Sequence, residues 1–188
     1  FWDSMLGEGR RWWITANSDS HVHWREGGSD FWPGEYSKTY VLAQKNHDDI
    51  IDGIRNGRVF VTLGDLISEL YVQVEGGHHT ADIGGEIHIA HGEDVRVTIR
   101  FKDPDTLNSW KQNPEVTRVD LIMGEVRGPV TDRNSDINPT TQVIARFTDS
   151  DWKINGAYRE ISYTISKVNK ESYIRIRGTN SNELEPQK

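Results

Sequence analysis

Apolar and polar residues alternate most strictly in DVRVTIRF, where Val95, Val97, Ile99 and Phe101 are separated by Arg96, Thr98 and Arg100. Side chains two apart share one face of a strand, so the segment predicts a strand with one dry face. RVDLIM repeats the pattern at Val119, Leu121 and Met123, and QVIARF at Val143, Ala145 and Phe147. REISYTIS continues it at Ile161, Tyr163 and Ile165, and YIRIRG at Ile174 and Ile176. With LYVQV (70–74) and EIHIA (86–90) the count reaches about seven strands, punctuated by turns at Gly76-Gly77, His91-Gly92 and Asn155-Gly156. Strands that are each dry on one side bury that side by pairing two sheets face to face. Residues 66–188 are therefore expected to form an antiparallel, Ig-like β-sandwich.

Residues 1–65 follow another rhythm. Asp3 or Ser4 predicts the cap of a short helix ending near Gly7 or Gly9, with Trp2, Met5 and Leu6 on one side. Trp12 to Ala16, WWITA, reads as a buried strand running into the polar NSDSH, and Lys38 to Ala43, KTYVLA, as a second strand. HDDIIDGIRNG predicts a helix capped by Asn46, with Asp48 and Asp49 at its positive end and Ile50, Ile51 and Ile54 on its apolar face. Arg55 and Arg58 suit its negative end, and Gly57 supplies the left-handed stop. RVFVTL follows as a third strand. The order suggests a parallel α/β layer, whose open edges would lean on the sandwich or pair with another chain.

Composition narrows the function classes. The 188 residues hold 29 acidic against 22 basic side chains, a net charge of −7 that argues against a nucleic-acid surface. The absence of cysteine excludes disulfides and thiolate-held metals. The longest apolar runs are too short to span a bilayer. The chain opens FWDSMLGEGRRWW, without the layout of a signal peptide, and is expected to be a piece of a longer protein.

Residues 17–24, NSDSHVHW, bring one aspartate and two histidines into five positions. If Asp19 and His21 sit on extended backbone, they aim a carboxylate oxygen and an imidazole nitrogen into the same space, a pair suited to zinc, manganese or iron. The alternative is a polar turn, because Asn, Ser and Asp readily satisfy their own backbone. His23 fits a third ligand, a phosphate-facing group or a plain surface histidine. Arg25 could meet a phosphate oxygen or point into solvent. Glu35 reads as a turn residue. The early tryptophans could line a cleft or stack on sugar, though rings beside short strands more commonly form core.

In the β part, Asp132, Asn134 and Asp136 have the opening spacing of a calcium loop, but Ile137 and Val143 stand where glycine and glutamate belong, so a polar turn is expected. His78-His79, His88 and His91 make a poor chelate, since adjacent strand residues face opposite ways.

SDSH after an apolar run, DFWPGEYSKTYV, and a helix leading into NGRVFVTLGDLI together resemble the C-terminal end of PHP-domain metal-dependent phosphoesterases. The closest likeness is to the branch whose PHP domain is followed by a β-sandwich, with some members labelled S-layer-type proteins. PEVTRVDLIMGEVRGP, NPTTQVIARF and YIRIRGTNSNELEP are similar to that branch too, so the likeness covers nearly the whole chain. It implies an α+β chain in which residues 1–65 end a distorted α/β barrel and residues 66–188 form an accessory sandwich.

It also implies divalent metal ions (Mn, Fe or Zn), a metal-activated water and a small phosphate ester as substrate. The family's final metal-binding motif, a D-x-H, matches Asp19 and His21. Its opening H-x-H and its central Glu and His ligands belong upstream, so this chain would carry half a site, hold little metal and catalyse nothing alone. Its first partner would be the remainder of the PHP domain. The location implied leans extracytoplasmic, secreted or cell-envelope. The alternative reading is a surface or S-layer-associated binding module without catalysis.

Overall fold

In a computed structural model, the described residues are 1–21, 32–132, 134–181 and 183–184. Every period-two segment beyond residue 66 except one becomes a strand. These are β3 (Glu69–Gly76), β5 (Glu93–Lys102), β6 (Arg118–Glu125), β7 (Gln142–Phe147), β9 (Tyr158–Val168) and β10 (Ser172–Thr179), with two short additions, β4 (His79–Asp82) and β8 (Lys153–Asn155). β4 and β8 arise because Gly77 and Gly156 take the left-handed backbone that tight hairpins demand (φ +57° and +61°), folding the chain back on itself.

The exception is EIHIA, which takes no ladder partner. Its alternation is still used: Ile87 and Ile89 pack on the core, over the space that Gly76 leaves by lacking a side chain.

Among the described residues all pairings are antiparallel. Five strands run in the order β4-β3-β5-β9-β8 and three in the order β10-β6-β7. Their dry faces share one core: Val97, Ile99 and Phe101 of β5 and Ile161 of β9 from the larger sheet, Val119 and Leu121 of β6 and Phe147 of β7 from the smaller. Each such side chain, fully buried, contributes roughly 1.5–3 kcal/mol. Trp152 closes one end edge-on to Phe101, ring centroids 5.6 Å apart. The architecture is mostly antiparallel sheet and is consistent with a β-sandwich.

The N-terminal part departs from a parallel layer. Among the described residues its two strands, β1 (Ser37–Val41) and β2 (Val59–Leu63), pair antiparallel from Ser37 opposite Leu63 to Val41 opposite Val59. Between them α2 (His47–Arg55) is capped as expected, Asn46 Oδ1 accepting the Asp49 N–H at 2.9 Å. Its end returns the chain to where β1 left off: Arg58 N–H donates to Gly53 O at 2.9 Å, and Leu42 N–H to Arg58 O at 2.9 Å. The unit is a hairpin with a helix inserted at its turn.

The first helix, α1 (Trp2–Gly7), has no side-chain cap. Asp3, expected there, instead receives two hydrogen bonds from Arg175 of β10, both 2.7 Å, and one from Tyr173 at 3.0 Å. With Trp2 over the Arg175 guanidinium (5.5 Å) and Gly7 O accepting the Arg127 N–H at 2.7 Å, α1 lies across the outer face of the three-stranded sheet. Among the described residues, no helix is long and apolar enough to cross a membrane.

Candidate functional site

Residues 10–21 reach the candidate ligands without forming a strand. The WWITA run is pinned by side chains. Thr39 Oγ1 of β1 accepts the Ala16 N–H and donates to the Ala16 carbonyl, both at 2.8 Å, and Ser37 Oγ donates to the Asn17 carbonyl. Trp13 Nε1 donates to Arg55 O at 2.9 Å, and its indole covers Gly57, where a Cβ would overlap the ring. Arg11 reaches the Gly84 carbonyl at 3.1 Å. Trp12 and Ile14 remain 52% and 44% exposed, so the expected buried strand is a surface segment laced to β1 and α2. A hydroxyl that takes both polar groups of Ala16 stands in for the ladder a neighbouring strand would supply.

Beyond it the chain turns. Asn17 Oδ1 accepts the Asp19 N–H at 2.8 Å and Ser18 Oγ the Ser20 N–H at 3.4 Å, and Asp19 adopts left-handed backbone at φ +53°. The side-chain-to-backbone turn expected as the alternative is therefore what the main chain makes. The extended geometry that would place Asp19 and His21 on one side does not hold at Asp19. Both are exposed at the end of a well-anchored segment. His23 and Arg25 lie outside the described residues.

Among the described residues no three His, Asp or Glu side chains gather as a metal group. A divalent site takes at least three protein ligands, so the two donors of the D-x-H do not complete one. Glu35 is a turn residue, its Oε2 accepting the Trp32 N–H at 2.9 Å. Asp132 Oδ1 accepts the Asn134 N–H at 3.0 Å, a bond of the kind a polar turn makes. His78, His79, His88 and His91 are all exposed, with His88 3.8 Å from Glu86.

Three charged clusters escaped the sequence reading. In the first, burial pushes the Asp3 carboxyl up, but the hydrogen bonds and charge of Arg175, with Tyr173, outweigh it and hold it below the usual carboxylate range. In the second, on the outer face of the five-stranded sheet, Glu69 accepts from Tyr158 (2.8 Å) and Tyr71 (2.9 Å), which lowers its pKa and raises those of both phenols. Arg100 lies over both rings, at 4.5 and 4.7 Å. Glu69 and Tyr71 also border a cleft of about 130 Å³ between this sheet and the β1–β2 hairpin, where Tyr40 and Phe60 stack at 4.8 Å.

The third cluster surrounds Asp120, wholly buried in β6, with Arg118, Arg146 and Arg177. Each of these residues occupies the polar position of an alternating strand, so the pattern marked its face but not its partners. No protein-family model, curated protein or solved structure matches this chain.

Proposed function

We propose that this chain is the C-terminal segment of a PHP-type metal-dependent phosphoesterase, in which Asp19 and His21 contribute to a divalent-metal site completed by protein outside it. The observation that supports this most is the placement of the D-x-H. It is exposed at the end of a segment tied to β1 by Thr39 and Ser37, inside the stretch whose SDSH, DFWPGEY and RVFVTLGDLI resemble that family. On this reading residues 1–65 are the end of a distorted α/β barrel and residues 66–188 an Ig-like accessory sandwich. Manganese, iron or zinc would supply a metal-bound water for hydrolysis of a phosphate ester. Alone, the chain brings two donors and is proposed to be inactive.

The test is elemental analysis for manganese, iron and zinc after dialysis without chelator, on this chain and on a version extended upstream. The extended protein is expected to hold near-stoichiometric metal that His21→Ala removes, and this chain very little. One equivalent on the chain alone would overturn the half-site account. No metal on the extended protein would overturn the ligand assignment and leave the surface or S-layer-associated binding module as the better reading.

A further inference from the structure

At one end of the sandwich two strands carry an extra residue. Val95 pairs with Ile165 and Glu93 with Val168, so β9 gains one position on β5 there. Leu121 pairs with Ala145 and Ile122 with Val143, so β7 gains one on β6. A bulge bends its strand and tightens its twist. Between the bent ends lies a cleft of about 530 Å³, bordered also by the turn that carries β9 of one sheet into β10 of the other. Small-molecule sites occupy roughly 300–1,000 Å³.

Lys167 and Lys170 border this cleft and are exposed. Lys167 holds left-handed backbone at φ +54°, a conformation that suits glycine and disfavours any residue with a Cβ. Its N–H is fixed there by Asp94 Oδ1 at 2.8 Å. The adjacent Glu93 is also turned to backbone, accepting the Ala90 N–H at 3.0 Å. Among the described residues no carboxylate forms an ion pair with Lys167 or Lys170.

Among the described residues Glu125 is the one acid on the lining. Gln142 and Asn169 bring side-chain amides that make no hydrogen bond among the described residues, and Met123, Ile165 and Val168 bring apolar surface.

We propose that this cleft binds an acidic sugar, a single uronic-acid ring, with its carboxylate towards Lys167 and Lys170. Ammonium groups are point charges and suit a carboxylate without a guanidinium fork. The amides of Gln142 and Asn169 donate and accept at once, as sugar hydroxyls require. Glu125 also accepts from a hydroxyl, and it repels a multiply charged anion such as phosphate. Met123, Ile165 and Val168 offer an apolar wall to the C–H face of the ring. Strained backbone is kept where a side chain is needed, and at position 167 glycine would relieve the strain but remove the ammonium. The cleft does not involve Asp19 or His21, so this proposal and the metal-site reading can fail separately.

The test is an NMR titration of the whole chain with sodium glucuronate, against glucose and sodium acetate at equal ionic strength. It is followed at the backbone amides of residues 140–142 and 165–172. Saturable shifts are expected there with half-effect below roughly 10 mM glucuronate, and a far weaker response to glucose and to acetate. Lys167→Gly should weaken glucuronate binding by ~10-fold without lowering the melting temperature, since glycine takes this backbone freely. Lys170→Ala, in the exposed turn, should weaken it similarly and carries the comparison should the glycine variant not fold. No saturation in that range, an equal response to glucose or acetate, or unchanged affinity in the lysine variants would overturn the proposal.

Discussion

Asp120 shows how much a single position depends on its neighbours. The alternation of RVDLIM marks it as a residue opposite the core, where a solvated aspartate would be unremarkable, yet it is wholly buried among three arginines. Removing one partner of a buried ionic group leaves the others desolvated and unpaired. Asp120→Ala is therefore expected to destabilise the chain by about 3–5 kcal/mol in urea unfolding, well beyond a surface substitution. Gly57 makes the converse point. Its left-handed backbone was legible as a helix stop, but the indole of Trp13 lying over it was not. Gly57→Ala should cost more than the ~1 kcal/mol of backbone strain alone, because the ring must move, and a thermal melt would show it.

Elements held up where their signals were local. α2 starts at the Asn46 cap and turns back at Gly57, as the residues predict, and Asn46→Ala should cost about 1 kcal/mol by frayed-end destabilisation measured in urea. α1 is different, since its stability comes from docking rather than propensity: six residues are too few to hold a helix unaided. Two titrating groups anchor it with opposite signs.

Asp3, with its folded pKa lowered, contributes stability that is present above the ordinary carboxylate value and lost as pH falls below it. Asp103, raised by burial against the opposing hydrogen bond from Val116, acts the other way in acid, so Asp3→Asn is needed to isolate the first effect. That variant should show a flatter loss of stability between roughly pH 5 and 3. Tyr173 is pushed up to about 12, first by burial and then by Asp3, so its contribution is intact below its ordinary value near 10 and disappears as pH climbs towards 12. Tyr173→Phe should remove part of that alkaline limb, as read by denaturant midpoints across the range.

At the scale of the whole molecule, the two parts separated by hydrophobic rhythm are stitched together. α1 reaches the three-stranded sheet through Asp3 and Gly7, Arg11 reaches Gly84, and Asn108 Nδ2 donates to Gly64 O at 3.0 Å. Cutting the chain at residue 65 should therefore expose Arg175 and the outer face of β6 and β10. The isolated 66–188 segment is expected to unfold at a lower temperature than the intact chain, and an equal melting temperature would count against docking as a source of stability.

The sequence by itself determined six of the eight strands described beyond residue 66, because a period of two is imposed by the backbone wherever one face is dry, and it determined α2, because its cap and its glycine act within a few residues; EIHIA and WWITA carried strand signals and formed none. It also marked the D-x-H as a polar group ending an apolar run. Only the tertiary structure decided the antiparallel return of β2 onto β1, the pinning of WWITA by Thr39 in place of a ladder, and the left-handed turn at Asp19. It alone assembled the Asp3–Arg175 and Asp120–arginine clusters. Those outcomes depend on which strand lies beside which and in what register, and charges that meet across 57 or 172 positions of chain leave no mark in local pattern.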